Sequence, residues 1–411
     1  MVSIGGIDQA VTGVKPMTEH KKPLAGIKVV DLTQIYQGPY AAFLFAMAGA
    51  DVIKVEPVKG ERLRGAGGAK TPLSFAMLNS NKKSITLNLQ DEEGKKLLRE
   101  LVRDADVLLE NYAPGVMDRL GVGWDALKEI NPRLIYGSGT GYGLSGPDRD
   151  LLAMDHTIQA ASGVMSATGD ADAPPSRSGG APCDIMGGIH IYAGVLAALQ
   201  GRALSGKGTR VEVSMLESMF FTLCSELSIH HETGELPPRN SARSPSNVCP
   251  YGRYPCKDGW IVIICVAEAH WHSVLKVVGR TDQADNHDFR NSRARKKREH
   301  LVDAMINAWT VERTRDEAYK ELRENRVPVA PIRTIDEVRD DPHLHERGML
   351  RYRTHELLGE IVLPTSPIRF SDYDLTEPEF FPEIGAHNDE IYGALNLSPG
   401  DMERLRSSGV I

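Results

Sequence analysis

Cysteine is scarce in this chain. Five residues in 411, Cys183, Cys224, Cys249, Cys256 and Cys265, make an odd set with no C-x-x-C spacing. That excludes a disulfide framework and the usual zinc or thiol redox motifs, and it fits a reducing, cytoplasmic setting. No run of about eighteen apolar residues occurs, so no membrane partner is expected. Basic residues are not in excess. The net charge is −7, which argues against nucleic acid as a partner. The dinucleotide fingerprint is missing as well: the first strand runs into Thr33-Gln34-Ile35-Tyr36-Gln37-Gly38-Pro39, with a single glycine. Glu56 does end the second strand, where a ribose-binding acid would sit. Ser214 lacks the G-x-S-x-G elbow. His230 and His231 carry no local Cys-His signature, and no spaced His, Asp or Glu set suggests a metal.

What is present is the composition of a soluble globular protein, 41% hydrophobic and 25% charged, long enough for two or three domains. Residues 1–22 are polar and Gly-rich and read as a loose arm rather than a signal peptide. Strands and helices then alternate. Strands are predicted at Gly26–Val30, Asp51–Glu56, Ser84–Asn88, Val107–Glu110, Leu134–Gly137 and Thr209–Val213. Helices are predicted from Pro39 to Met47, Asp91 to Asp104, Trp124 to Asn131 and Met186 to Leu199, with a long one from the last strand to about Ile229. This alternation implies an α/β fold with a parallel sheet, whose ligands bind beyond the carboxyl ends of strands. The texture changes over Glu232–Pro250, a linker or binding loop rich in Pro, Ser, Asn and Arg. A second region follows, with a strand at Gly259–Val266, helices at Trp271–Val278 and His300–Trp309, and extended chain at Val327–Ile332. A late strand at Ile361–Phe370 and a helix at Pro399–Ser407 close the pattern.

Several stretches could carry chemistry. The run Gly137-Ser138-Gly139-Thr140-Gly141-Tyr142-Gly143 reads as a turn whose free N–H groups could cradle an oxyanion. Glu110-Asn111-Tyr112-Ala113-Pro114-Gly115, followed by Arg119, suits a nucleotide-like ligand or a plain β-to-α turn. Asp155 opens a short helix among Ala153, Met154 and Ile158. It reads either as a helix cap or as a nucleophile toward an activated acyl group. The basic residues between Arg290 and Arg298 read as the solvated start of a helix rather than a phosphate patch.

Ordered segments across Pro23 to Ile411 resemble a known family, the family III CoA-transferases, which include formyl-CoA, carnitine and glutarate CoA-transferases and the α-methylacyl-CoA racemases. The resemblance lies in Leu24–Thr33, Gly49–Glu56, Asn81–Ser84, Glu110–Gly115, Gly141–Gly143, Asp155–Gly163, Gly206–Gly208 and Pro250–Gly252. It implies that Asp155 is the catalytic aspartate. Gln37 falls in the first CoA loop, offset by one from the family's glutamine because Tyr36 occupies the nearest match. Lys82, Asn111, Tyr112 and Arg119 match residues around the CoA nucleotide, pantetheine and phosphates. Gly139, Gly141 and Tyr142 would belong to the oxyanion or substrate loop. The implied fold is a Rossmann-like large domain, 23–225, to which 336–411 returns, with a smaller α+β domain at 226–335. Two chains would interlock as a ring-like homodimer. The implied partners are an acyl-CoA, with coenzyme A as the carried group, and a small carboxylic acid; a succinyl-CoA-like donor fits.

Some positions depart from the family pattern. A lysine of some transferases is Thr140 here. A tetraglycine loop is replaced by Ser244-Pro245-Ser246-Asn247-Val248, which points away from formate and oxalate as the natural pair. Family racemases place a His immediately before the aspartate; here that position is Met154, and His156 follows instead. Asp184 matches the racemase's second acid but occurs in transferases too. An intact Asp155 argues against a CoA-binding protein without catalysis. Arg243, Arg253 and His230 are candidates for neutralising a distal carboxylate.

Overall fold

The computed structural model describes residues 22–68, 73–239, 243, 247–356 and 358–411. The expected N-terminal arm, apart from Lys22, and residues 244–246 lie outside the described residues. Six strands, β1 (Lys28–Asp31), β2 (Asp51–Glu56), β3 (Lys83–Thr86), β4 (Val107–Glu110), β5 (Ile135–Thr140) and β6 (Thr209–Ser214), form one parallel sheet. Its order is β3-β2-β1-β4-β5-β6, so the winding reverses between β1 and β4. Both faces are covered, which is why Val29, Val30, Val107, Leu108 and Leu109 run apolar without alternation.

On one face, helices Gln37–Met47 and Pro182–Ser205 pack on Val29, Val52, Val107 and Ile135. On the other, Leu98 and Leu101 of helix Glu92–Arg103 meet Ile391, Tyr392, Leu405 and Val410 from the far end of the chain. Asn388 clasps β3: its Oδ1 accepts the Thr86 N–H at 2.9 Å, and its Nδ2 donates to Thr86 Oγ1 at 2.8 Å. A second, antiparallel sheet joins β7 (Tyr251–Cys256), β8 (Gly259–Ile264) and β9 (Val329–Pro331) around a separate core of Tyr254, Ile261, Trp271, Val302 and Leu322. Strands β10 (Leu350–His355) and β11 (Gly359–Pro364) form a hairpin, shorter than the strand expected up to Phe370.

The structure corrects several sequence expectations. The Gly-rich run is strand as far as Thr140, not a turn. A Cβ on Gly137 would stand 2.7 Å from Leu109 Cδ2 and 3.2 Å from Val195, so glycine here admits the helix against the sheet. That helix, Pro182–Ser205, is longer at both ends than expected. It is the one described element long and apolar enough to cross a membrane, yet it lays Ile191, Tyr192 and Val195 on the sheet. The helix expected after β6 breaks into Met215–Phe220, a 3-10 turn at Phe221–Leu223, and Cys224–Thr233. In the basic stretch Arg295 is fully buried rather than solvated. Its guanidinium donates to both Glu268 carboxylate oxygens, at 2.6 and 3.0 Å, and to the Cys249 carbonyl at 2.8 Å.

Candidate active site

Three chain segments converge where β5 and β6 end. Ser214, the last residue of β6, donates to the Gly141 carbonyl at 3.1 Å, and the Leu216 N–H donates to the same oxygen at 3.0 Å. Gly141 in turn lets the chain before Asp155 come close: a Cβ there would lie 2.0 Å from Ala153 Cβ. Tyr142 packs with Ile158, Cys183 and Met215 under the helix Asp155–Ala161.

Asp155 is the first residue of that short helix, and its carboxylate caps a different one. Oδ2 accepts the N–H groups of Cys183 and Asp184, at 2.8 and 3.2 Å. These are orphan donors in the first turn of the 24-residue helix Pro182–Ser205, where the helix dipole favours an anion. Oδ1 accepts from Gln159 Nε2 at 2.6 Å. The sequence reading gives Gln159 no role, although its i, i+4 spacing from Asp155 on one helix was the available signal. Two groups beside the carboxylate hold their protons more tightly than usual. Burial, then the Asp155 charge, pushes the Asp184 carboxyl up to about 7 against a bond from the Gln37 N–H. Burial, then Asp155 and Asp184, pushes the Cys183 thiol up to about 12. Met154 and His156 are both exposed, and neither packs beside Asp155 as a buried base would.

Gln37 starts the helix Gln37–Met47, two residues before the expected Pro39 start, and is buried. A Cβ on Gly139 would stand 2.8 Å from Gln37 Oε1, and one on Gly187 would stand 2.7 Å from Nε2. Both glycines therefore make room for this amide, whose Nε2 has no hydrogen-bond partner among the described residues.

A second feature lies at the reversal of the sheet order. A cavity of about 540 Å³ opens at the carboxyl ends of β1 to β4, lined by Leu32, Gln34, Glu56, Lys59, Asn88 and Tyr112. Asn111 braces its floor: Oδ1 accepts the Gln34 N–H at 2.8 Å and Nδ2 donates to the Gln34 carbonyl at 2.9 Å. The loops that leave β1 and β4 are thus tied together where α/β sheets bind nucleotides.

A sequence profile of CoA-transferase family III matches residues 24–388. The chain belongs to that family. A formyl-CoA:oxalate CoA-transferase of Streptomyces coelicolor is 36% identical, over 95% of this chain and 99% of that protein. The human succinyl-CoA:glutarate CoA-transferase is 30% identical, over 95% and 90%. Among solved structures, a CAIB/BAIF family protein from Brucella suis superposes with a TM-score of 0.81 at 33% identity, covering 91% of this chain and all of that one.

The remaining candidates of this family III chain fall in distinct places. Arg119 is exposed, and its Nη1 stands 3.2 Å from where a Gly115 Cβ would be, with Arg149 Nη2 at 3.9 Å. Two guanidinium groups thus flank the turn after β4. Lys82 is buried, with Nζ donating to Asp31 Oδ2 and Asn79 Oδ1 at 2.8 Å and to the Pro39 carbonyl at 3.0 Å. Arg243 pairs with Asp303 at 2.7 Å and Arg253 with Asp170 at 3.0 Å. His230 lines an apolar cavity of about 230 Å³ with Gly163, Leu227 and Leu236. No group of three or more His, Cys, Asp or Glu among the described residues could hold a metal.

Glu110, at the end of β4, gives a pH signature. Burial pushes its carboxyl up to about 7, against hydrogen bonds from Ser138 and the Tyr112 N–H. The folded state therefore keeps a proton that the unfolded chain releases from about pH 4.5 upward. Its contribution to stability is full below that point and falls as pH rises through about 7. Glu110→Gln removes the titration, with its amide oxygen accepting the Tyr112 N–H and its Nε2 donating to Ser138 Oγ. Urea denaturation should show the variant gaining about 1–3 kcal/mol over the parent near pH 8, and nothing near pH 4. An equal difference at both pH values would contradict the assignment.

Proposed function

We propose that the protein is a CoA-transferase that moves CoA from an acyl-CoA to a free carboxylic acid through an aspartyl-CoA thioester on Asp155. The observation that carries this reading is the Asp155 carboxylate, held by two backbone N–H groups of a helix N-terminus at the carboxyl end of the sheet whose β1–β4 reversal carries a nucleotide-sized crevice. Asp155 attacks the thioester carbonyl, giving a mixed anhydride and releasing the CoA thiolate. The thiolate attacks the aspartyl carbon; the C–S bond forms, a C–O bond breaks, and the donor acid leaves. The acceptor carboxylate then runs the sequence in reverse. Each thioester is exchanged for another of similar energy, so the protein's task is kinetic. The site must keep water from the anhydride. A carboxylate suits the role because its adduct with CoA is itself a thioester. The crevice at the β1–β4 reversal takes the nucleotide of CoA, with Arg119 and Arg149 near its phosphates.

The relatives act on oxalate and glutarate by name, so the acceptor is sought among small carboxylic acids. With succinyl-CoA or acetyl-CoA as donor, the protein should form a new thioester with one of succinate, glutarate, mesaconate, itaconate, oxalate, formate or an aromatic acid. Chromatography of the CoA esters reads this directly. Deuterium wash-in at the α-carbon of a 2-methylacyl-CoA, with no exchange between acids, would replace this reading with racemisation.

A further inference from the structure

Asp155 is held by unlike partners on its two oxygens. Oδ2 already accepts two backbone N–H groups, which use both of its in-plane lone pairs. Oδ1 accepts one, from Gln159, and keeps a lone pair open. The Cys183 thiol lies near this carboxylate, whose charge, after burial, helps to push the thiol up to about 12. Gln159 is itself fully buried, and its amide has one orientation available. Oε1 accepts both the N–H and the hydroxyl of Ser178, at 2.9 and 3.2 Å, so only Nε2 faces Asp155. A chain of three residues thus fixes the rotation of the carboxylate.

We infer that this arrangement divides the labour of the two oxygens, with Gln159 as the positioning residue: Oδ1 attacks the donor thioester, and Oδ2 becomes the aspartyl carbonyl. The inference rests on Asp155 being the nucleophile. In the anhydride, Oδ1 is the bridging atom. When the CoA thiolate adds to the aspartyl carbon, the negative charge develops on Oδ2. The Cys183 and Asp184 N–H groups already point at that oxygen and form its oxyanion hole. The tetrahedral species collapses by breaking the bond to Oδ1, which leaves with the donor acid. A long helix thereby supplies, for this step, the oxyanion stabilisation that the sequence assigns to backbone N–H groups of Gly139 and Gly141.

Two variants test this. Gln159→Ala should lower kcat for CoA exchange about 100-fold, with KM for the acyl-CoA changed less than about threefold, because the nucleophile loses its orientation and not its substrate contacts. Gln159→Glu keeps the shape. Near pH 8 the introduced carboxylate repels Asp155, and activity should fall as far as in the alanine variant. Near pH 5.5 the introduced group is protonated and donates again to Oδ1. Activity relative to the parent should then recover at least about tenfold. Asp184 and Cys183, the titratable groups that face Asp155 from the long helix, are common to both proteins, so the ratio isolates the introduced carboxyl. A parent-like kcat in Gln159→Ala overturns the inference. So does a normally melting Gln159→Glu that is equally slow at both pH values. Exchange lost in Asp155→Ala but kept in Gln159→Ala sinks the positioning role alone, whereas exchange kept in Asp155→Ala sinks the nucleophile.

Discussion

Asp155→Ala is expected to lower CoA exchange by about 10⁴-fold or more, the scale on which a covalent nucleophile is missed. No neighbour can stand in for it. Asp184 is a neighbouring carboxyl, but burial and the Asp155 charge push it up to about 7, so about half of it near neutral pH is the neutral acid, a poor nucleophile. Cys183 is held as a thiol. The fold should survive, because the substitution removes one cap from a 24-residue helix whose packing on the sheet is intact. A cap of this kind contributes about 1 kcal/mol. Melting within a few degrees of the parent, with the exchange gone and no CoA adduct on the peptide containing residue 155, is the expected pattern. Normal turnover would remove Asp155 from the mechanism.

Lys82→Met is expected to cost about 3–5 kcal/mol of stability, read as a lower urea midpoint, because it strands a buried carboxylate. Lys82 and Asp31 form a fully buried pair at 2.8 Å. The two partners shift in ways that point apart. Burial alone would raise the Asp31 carboxyl, but Lys82 and Lys54 together hold it low. Burial pushes Lys82 down to about 8, with Asp31 opposing and Lys54 adding to the fall. Asp31 feels two ammonium groups, whereas Lys82 feels Asp31 and the repulsion of Lys54, so the anion of this pair gains more than its cation. We take the pair as charged near neutral pH, since all three Nζ donors meet oxygen acceptors. One of those acceptors is the Pro39 carbonyl, so the same substitution should loosen the turn that carries Gln37. A rise in KM for acyl-CoA in the surviving folded protein is the expected companion effect. An unchanged midpoint would show that Lys54 suffices for Asp31.

The sheet was legible because its strands are short apolar runs between punctuating turns. β2 and β4 begin and end at the residues that the pattern predicts. The glycines of β5 misled, because a glycine that admits a helix looks in sequence like a glycine that makes a turn. Asp155 stood out through the resemblance. Its alternative role, as a cap, holds in an unforeseen form, for the helix it caps begins 27 positions later, at Pro182. Contacts of that range leave no periodic trace in a single sequence. The Gln37 amide between Gly139 and Gly187 is hidden for the same reason, as is the burial of Arg295 amid otherwise solvated basic neighbours.

The covering of the sheet by residues near the far end of the chain sets an order of events during synthesis. Thr86 emerges from the ribosome about three hundred residues before Asn388, the partner that holds it. Until then the face carrying Ile85 and Leu108 lacks its lid of Ile391, Tyr392 and Leu405. The second sheet closes on its own core in the interval. The nascent chain therefore carries a finished small unit on an unfinished large one, with an apolar face open to chaperones and to aggregation until the final helices arrive.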